Sequence, residues 1–364
     1  MKKSFFILNQ FLKLSYKNSF VILIGSFIIG LLQSMTILAL FPLTHLLGMV
    51  EENSKIILYF EKIIKFFNIE NSLFLVLSFM VIFVIIIAII TYIIEIFKNN
   101  VAQEIASKLR KEMINSAIKA RWSFFIKKKP GELVYSTVEE PSKSLGGYVD
   151  TIEFFSFAIQ AIVYIITALF ISLIATSYTV LAGLFLILIL MRWNEKARKA
   201  GKESNEQVKL IMSHAINIYS TIKVFKSMGK ESFLIKSIGN QISKLKNYEF
   251  KANVVILTPK IWREPLIFLL LSLALYLVFT YDLVEKASII PVTFLYLRTI
   301  QKIGEVQGKF QTIMKVQPLY ESYQTNLKSA HDNVEIFDSS KTINELHNIE
   351  IQNLSFAYGE KNIL

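Results

Sequence analysis

"IFKNNVAQEIASKLRKEMINSAIKARW" (residues 96–122) decides the fold. Its apolar residues recur at three- and four-residue intervals with charges between them, and no Pro or Gly interrupts it, so it reads as one helix. It follows without a break on "VLSFMVIFVIIIAII" (76–90), which is apolar enough to cross a membrane. Either a soluble insertion begins near residue 95, or a membrane-spanning helix continues out of the bilayer. No Pro or Gly cluster marks an exit, which favours the continuous helix. "RWNEKARKAGKESNEQVKLIMSHAINIYSTIKVF" (192–225) repeats the pattern after another apolar run.

Composition agrees with a membrane protein. The chain has 364 residues, 53% of them hydrophobic, with a formal charge of +12. Such basicity would suit a nucleic-acid binder, but uninterrupted apolar runs of spanning length exclude nucleic acid as the expected partner. Lysine and arginine on this background suit the anionic cytoplasmic leaflet, so membrane lipids are expected neighbours. No cysteine is present, which removes disulfides, thiolate zinc sites and thiol catalysis. His45, His214, His331 and His347 lack ligand-like spacing, so no metal site is expected. The N-terminal "MKKSFFILNQFLKLSY" is interrupted by Asn9, Gln10 and Lys13 and shows no small-residue cleavage site. Phe5, Ile7, Leu8, Phe11 and Leu12 suggest instead a retained amphipathic helix, within residues 1–18, lying on the membrane surface.

Six segments are candidates to span: about 19–41, 72–94, 154–174, 177–193, 265–281, and a sixth from Ala287 that Pro291 and Arg298 interrupt. About 20 helical residues cross a hydrocarbon core of roughly 30 Å. Residues 95–151 hold ten basic residues and 192–258 hold thirteen. Residues 44–71 have only Lys55, Lys62 and Lys65, against Glu51, Glu52, Glu61 and Glu70. Basic loops remain in the cytoplasm, which places both termini inside. The fold expected is an all-α polytopic membrane protein with six spans over 19–328 and two long intracellular loops, about 95–151 and 192–260. After a polar linker at 329–348, "IEIQNLSFAYGEKNIL" (349–364) alternates like a strand, with a phase shift near Gln352 and Asn353 that suggests a bulge.

Three stretches carry a resemblance to the ABC exporters, in which six spans precede a nucleotide-binding domain. "RWSFFIKKKPGELVYSTVEE" (121–140) resembles the family's first intracellular turn, with an aromatic pair, charged residues and a Gly-Glu-Leu step. "INIYSTIKVFKSMGKESF" (216–233) is similar to the second turn, and 349–364 to the first strand of the ATP-binding domain with its aromatic loop. The resemblance implies two coupling helices that dock on nucleotide-binding domains, the second on that of a partner subunit. They map to about Arg121–Lys127 and Ile216–Phe225, with Arg121, Trp122, Phe124, Phe125, Tyr219, Lys223 and Phe225 as docking residues. The alternative is that these aromatics pack inside the helical bundle. Tyr358 corresponds to the ring that stacks on the adenine of ATP, a contact worth roughly 1–3 kcal/mol for stacked bases. The resemblance also implies a second half-transporter, most simply an identical chain.

ATP hydrolysis requires a glycine-rich phosphate loop closed by Lys and Ser or Thr. "SMGKES" (227–232) lacks the upstream glycine and has Glu231 where a hydroxyl is needed. The family places the Walker and signature motifs after Leu364, so ATP and Mg2+ are expected cofactors of a longer protein and no catalytic residue is expected in 1–364. Such a protein would be an ATP-hydrolysing translocase of the plasma (bacterial inner) membrane. Arg298 lies about 16 Å into the sixth span at helical rise, with Lys302 one turn further on the same face. The pair could attract a phosphate in a substrate cavity, or could be neutralised by Glu153 or Glu305. Gln33 and Ser34 in the first span could bond substrate or neighbouring helices. The first span is similar to those of lipid and lipid-linked saccharide exporters, which implies flipping of an anionic amphipathic substrate. A peptide or multidrug exporter, or a receptor or scaffold without transport, is the alternative.

Overall fold

The computed structural model describes residues 2–40, 73–126, 128–281, 289–335, 348, 350–355, 357–358 and 361–362. Nearly all of them are helical. α1 (Lys2–Lys13) and α2 (Tyr16–Leu38) are followed by α3 (Leu73–Ile118) and by two short helices, α4 (Trp122–Ile126) and α5 (Pro130–Val134). A π-helical turn at Tyr135–Glu139 leads into α6 (Glu140–Ile171), α7 (Leu173–Ser227), α8 (Glu231–Thr280) and α9 (Ile289–Asp332). A small hairpin pairs β1 (Ala357–Tyr358) with β2 (Lys361–Asn362), antiparallel.

The continuous helices expected from 96–122 and 192–225 are present. α7 has 55 residues, about 82 Å at helical rise. A hydrocarbon core of roughly 30 Å takes up less than half of that, so the charged half projects beyond any bilayer. Among the described residues four helical stretches are long and apolar enough to span: Tyr16–Leu38, Val76–Ile118, Pro130–Ile171 and Thr176–Ser227. The apolar segments expected at 265–281 and after Ala287 lie in α8 and α9, outside those four. Pro291, which interrupts the sequence pattern, sits in the first turn of α9, where a missing N–H leaves no bond unmade.

Two proline effects shape the helices. Pro141 has no N–H to offer the Thr137 carbonyl, and the backbone there widens into the π-turn, with Glu140 N–H bonding the Tyr135 carbonyl. Pro259, inside α8, likewise leaves the Val255 carbonyl without its helical donor. Gln311 of α9 supplies the replacement, its Nε2 donating to Val255 O at 2.8 Å.

α6 and α9 pack most extensively on each other and on the remaining helices. α2 packs along α6 through small residues: Ser26 Oγ donates to Ser156 Oγ at 2.8 Å, and Gly30 lies against Gln160. Close approach of this kind is how helices associate where no hydrophobic drive separates protein from lipid. α1 turns one apolar face into the protein. Ile7, Leu8 and Phe11 are buried against α3, α6 and α9, because Gly147 leaves room for the Phe11 ring. In contrast, none of the most apolar window of α3 is buried among the described residues.

The expected strand at 349–358 is reduced. Residues 350–355 form no strand, and Asn353, where the phase shift was noted, has a left-handed φ of 49°. The helix α9 takes the first four residues of the expected linker, whose positions 336–347 lie outside the described residues.

The Gln311 bond gives a test with a built-in rescue. Gln311→Leu should lower stability by roughly 1–3 kcal/mol by orphaning the Val255 carbonyl. Adding Pro259→Ala, which restores the helical donor, should return most of that loss in a thermal unfolding assay. A double variant no more stable than Gln311→Leu alone would contradict this account.

Candidate coupling surface and cavity

The bend between α3 and α6 is built on the end of α9. Arg121 N–H bonds Asn333 O at 2.7 Å and Glu335 N–H bonds Lys119 O at 2.8 Å, flanking an antiparallel bridge between Ala120 and Val334. On this short ladder stands α4. Its aromatics divide their tasks. Phe124 is 2% exposed and packs with Ala120 and Ala330, the inward alternative considered above. Phe125 meets it edge to face at 5.4 Å and passes the contact outward to Trp122 at 6.1 Å. Trp122 is 66% exposed, and Ile126 and Arg121 are exposed beside it. Lys127, the end of the expected coupling helix, lies outside the described residues.

The second bend has a different form from the short helix expected at Ile216–Phe225, which is simply the last part of α7. The chain reverses at Met228–Lys230. Gly229 takes φ 63°, Lys230 N–H bonds Phe225 O at 3.0 Å, and Gly229 N–H bonds Lys226 O at 3.2 Å. These paired bonds around a left-handed glycine are a Schellman helix end. "SMGKES" therefore ends one helix and starts the next. Phe225 stacks on Phe233 across the turn, centroids 6.4 Å apart. Tyr219 is 76% exposed and Lys223 is exposed.

Behind the first bend lies a buried polar network that the sequence reading missed. Glu140 is fully buried and ion-paired with Lys209 of α7 at 2.7 Å. Asn326 of α9 donates to Glu140 Oε2 at 3.2 Å and accepts from Lys128, while Lys209 also donates to Ser322 of α9. Tyr135, also fully buried, donates its hydroxyl to Asn205 of α7. Burial pushes the Tyr135 phenol far above its ordinary value of 10.0, and the charges of Glu140 and Glu139 push the same way. Burial lowers the pKa of Lys128, against the pull of Glu132 and Glu140. Gly131 completes the joint: a Cβ there would strike the backbone of Ser213 in α7. The only signal in the sequence was a pair of carboxylates, Glu139 and Glu140, placed just before Pro141 at a helix start.

The expected cavity residues are divided between two helix pairs. Gln33 accepts a hydrogen bond from the Tyr164 hydroxyl, joining α2 to α6. Ser34 is buried and donates to Gly30 O of its own helix at 2.9 Å. Lys302 is neutralised by Glu305 at 2.8 Å and lies 4.4 Å from the centroid of the Phe157 ring. Glu153 is taken by Lys98 at 2.7 Å and by Lys309. Arg298 is exposed and has no ion pair among the described residues. Tyr358 has its backbone in β1, and its side chain lies outside the described part.

Two measurements probe the network. Glu140→Gln should lower stability by roughly 1–3 kcal/mol, because Lys209 and Lys128 lose their counter-charge. A cycle with Lys209→Met should then show coupling of at least about 0.5 kcal/mol, whereas additive effects would count against the pair. For Tyr135, the folded state holds its proton while the unfolded chain releases it near pH 10.0. Its contribution is thus complete below that pH and is lost as pH rises towards the raised folded value. The alkaline fall in stability should be shallower in Tyr135→Phe.

A family model of the ABC transporter transmembrane region matches residues 53–301. No curated protein matches the chain. The match covers most of the polypeptide. This chain belongs to the ABC transporter transmembrane-region family.

Proposed function

We propose that the chain is the transmembrane half of a dimeric, ATP-driven exporter that flips an anionic, lipid-type amphiphile from the inner to the outer leaflet of the plasma membrane. The observation that carries this reading is the exposure of Trp122 and Ile126 at the tip of helices far longer than a bilayer. A rigid aromatic held at a fixed position by Phe124 and the α9 ladder is a good anchor for a pocket on another domain. The basic bends lie in the cytoplasm on this reading, with both termini on the same side, six spans in each half, and ATP and Mg2+ bound by the domains docked there. The hairpin at 357–362 begins the ATP-binding domain, and Tyr358 is its adenine platform. Tyr219, Lys223 and Phe225 form the second docking surface, beside the Gly229 turn rather than on a separate helix.

Arg298 supports the substrate class. It is a cation in the apolar part of α9, and the nearby carboxylate, Glu305, is already held by Lys302. An unneutralised guanidinium at that depth is costly unless it meets an anion or water, and its planar fork suits phosphate.

The test uses the transporter with its ATP-binding domains, reconstituted in vesicles with and without anionic lipid. Arg298→Ala should cut lipid-stimulated transport about tenfold, the worth of one charge-assisted contact. Trp122→Ala should lower transport and ATPase stimulation together while leaving the thermal transition of the membrane domain in place. ATPase activity indifferent to lipid, with Arg298→Ala transporting normally, would sink the lipid reading; stimulation by peptides or drugs would replace it.

A further inference from the structure

A second basic site lies where α6, α8 and α9 all change from apolar to charged sequence. The change falls at Glu153–Phe154 in α6, Arg263–Pro265 in α8 and Ile300–Glu305 in α9. Between them is a cavity of about 440 Å³, walled by Phe157, Ile256 and Pro259 and by the polar groups of Lys260, Arg263 and Gln311. Its carboxylates are already committed. Glu153 is paired with Lys98 and Lys309, and Glu305 with Lys302 at 2.8 Å. Lys260 and Arg263 have no ion-pair partner among the described residues.

The Arg263 side chain is positioned by the facing helix. Gly304 and Gly308, one turn apart on α9, form a flat strip beneath it. A Cβ on Gly304 would strike Arg263 Cδ, and one on Gly308 would come within 3.6 Å of its Nη1. The stem therefore lies across the strip, with its guanidinium at the cavity wall. A held guanidinium with a flexible ammonium one turn away is suited to a phosphate, the first by its fork and the second as a point charge. The apolar wall and the position at the edge of the apolar segments suit acyl chains attached to that phosphate.

We propose that Arg263 and Lys260 form a binding site for the phosphate of an anionic lipid headgroup, separate from Arg298 and needing no transport step. The site depends on the chain being a membrane protein, not on what it exports.

The full chain in detergent, without nucleotide, would be titrated with phosphatidylglycerol or phosphatidylcholine and read by native mass spectrometry. Phosphatidylglycerol should bind more tightly, and Lys260→Gln with Arg263→Gln should weaken it by about tenfold or more. Gly304→Val carries no charge change, yet should weaken binding by displacing the Arg263 stem. Arg263→Lys should recover part of it, and Lys236→Gln, an exposed control elsewhere on α8, should change nothing. Unaltered thermal transitions would show that the variants are folded. Inorganic phosphate that displaces phosphatidylglycerol at equal concentration would assign the same anion site to free phosphate, and failure to compete would assign it to lipid. Equal binding of the two lipids, or full binding by the double variant, would overturn the proposal.

Discussion

The ion pair between Glu140 and Lys209 is the constraint on which the polar end of the molecule depends. A carboxylate removed wholly from water is tolerated only with a charged partner and hydrogen bonds close by. Lys209 supplies the first and Asn326 the second. Satisfying that one group fixes three helices at once: α6 at its first residue, α7 two-thirds of the way along, and α9 near its end. The π-turn before Glu140 is part of the same solution, because Pro141 prevents the tighter helix that would turn this carboxylate elsewhere.

Long helices raise a problem that shorter ones avoid. Each must be correct both in hydrocarbon and in water, and a proline at the junction exposes a carbonyl in either. α8 carries two internal prolines, and at Pro259 the deficit is met from α9 by Gln311. The same few turns hold the Arg263 stem against Gly304 and the Lys309 contacts to Asp150 and Glu153. At the junction the helices are thus fastened by polar side chains as well as by apolar packing.

Much of this was legible in the sequence, and the reasons differ by element. The helices were visible because periodicity and the lack of breakers are local properties of 96–122 and 192–225. The first bend was visible because "RWSFF" combines a charge with clustered aromatics, although nothing local indicates that Phe124 turns inward while Trp122 does not. The second lies inside the stretch 216–233 read as a turn, although nothing there singled out Gly229 as the residue that ends the helix. Glu140 was not legible at all. Its partners lie 69 and 186 residues away, at Lys209 and Asn326, and a single sequence does not reveal such pairings. The burial of α1 was hidden for the same reason, because the room for Phe11 is provided by Gly147.

The ladder joining Lys119–Arg121 to Asn333–Glu335 has a mechanical consequence. The end of α9 cannot separate from the root of α4 until the two backbone hydrogen bonds that make up the β-bridge have broken. Displacement of Asn333–Glu335 is therefore carried to Arg121 and the neighbouring Trp122 through these backbone bonds. Force applied at either place reaches the other through the main chain itself, so the end of α9 and the bend are mechanically joined.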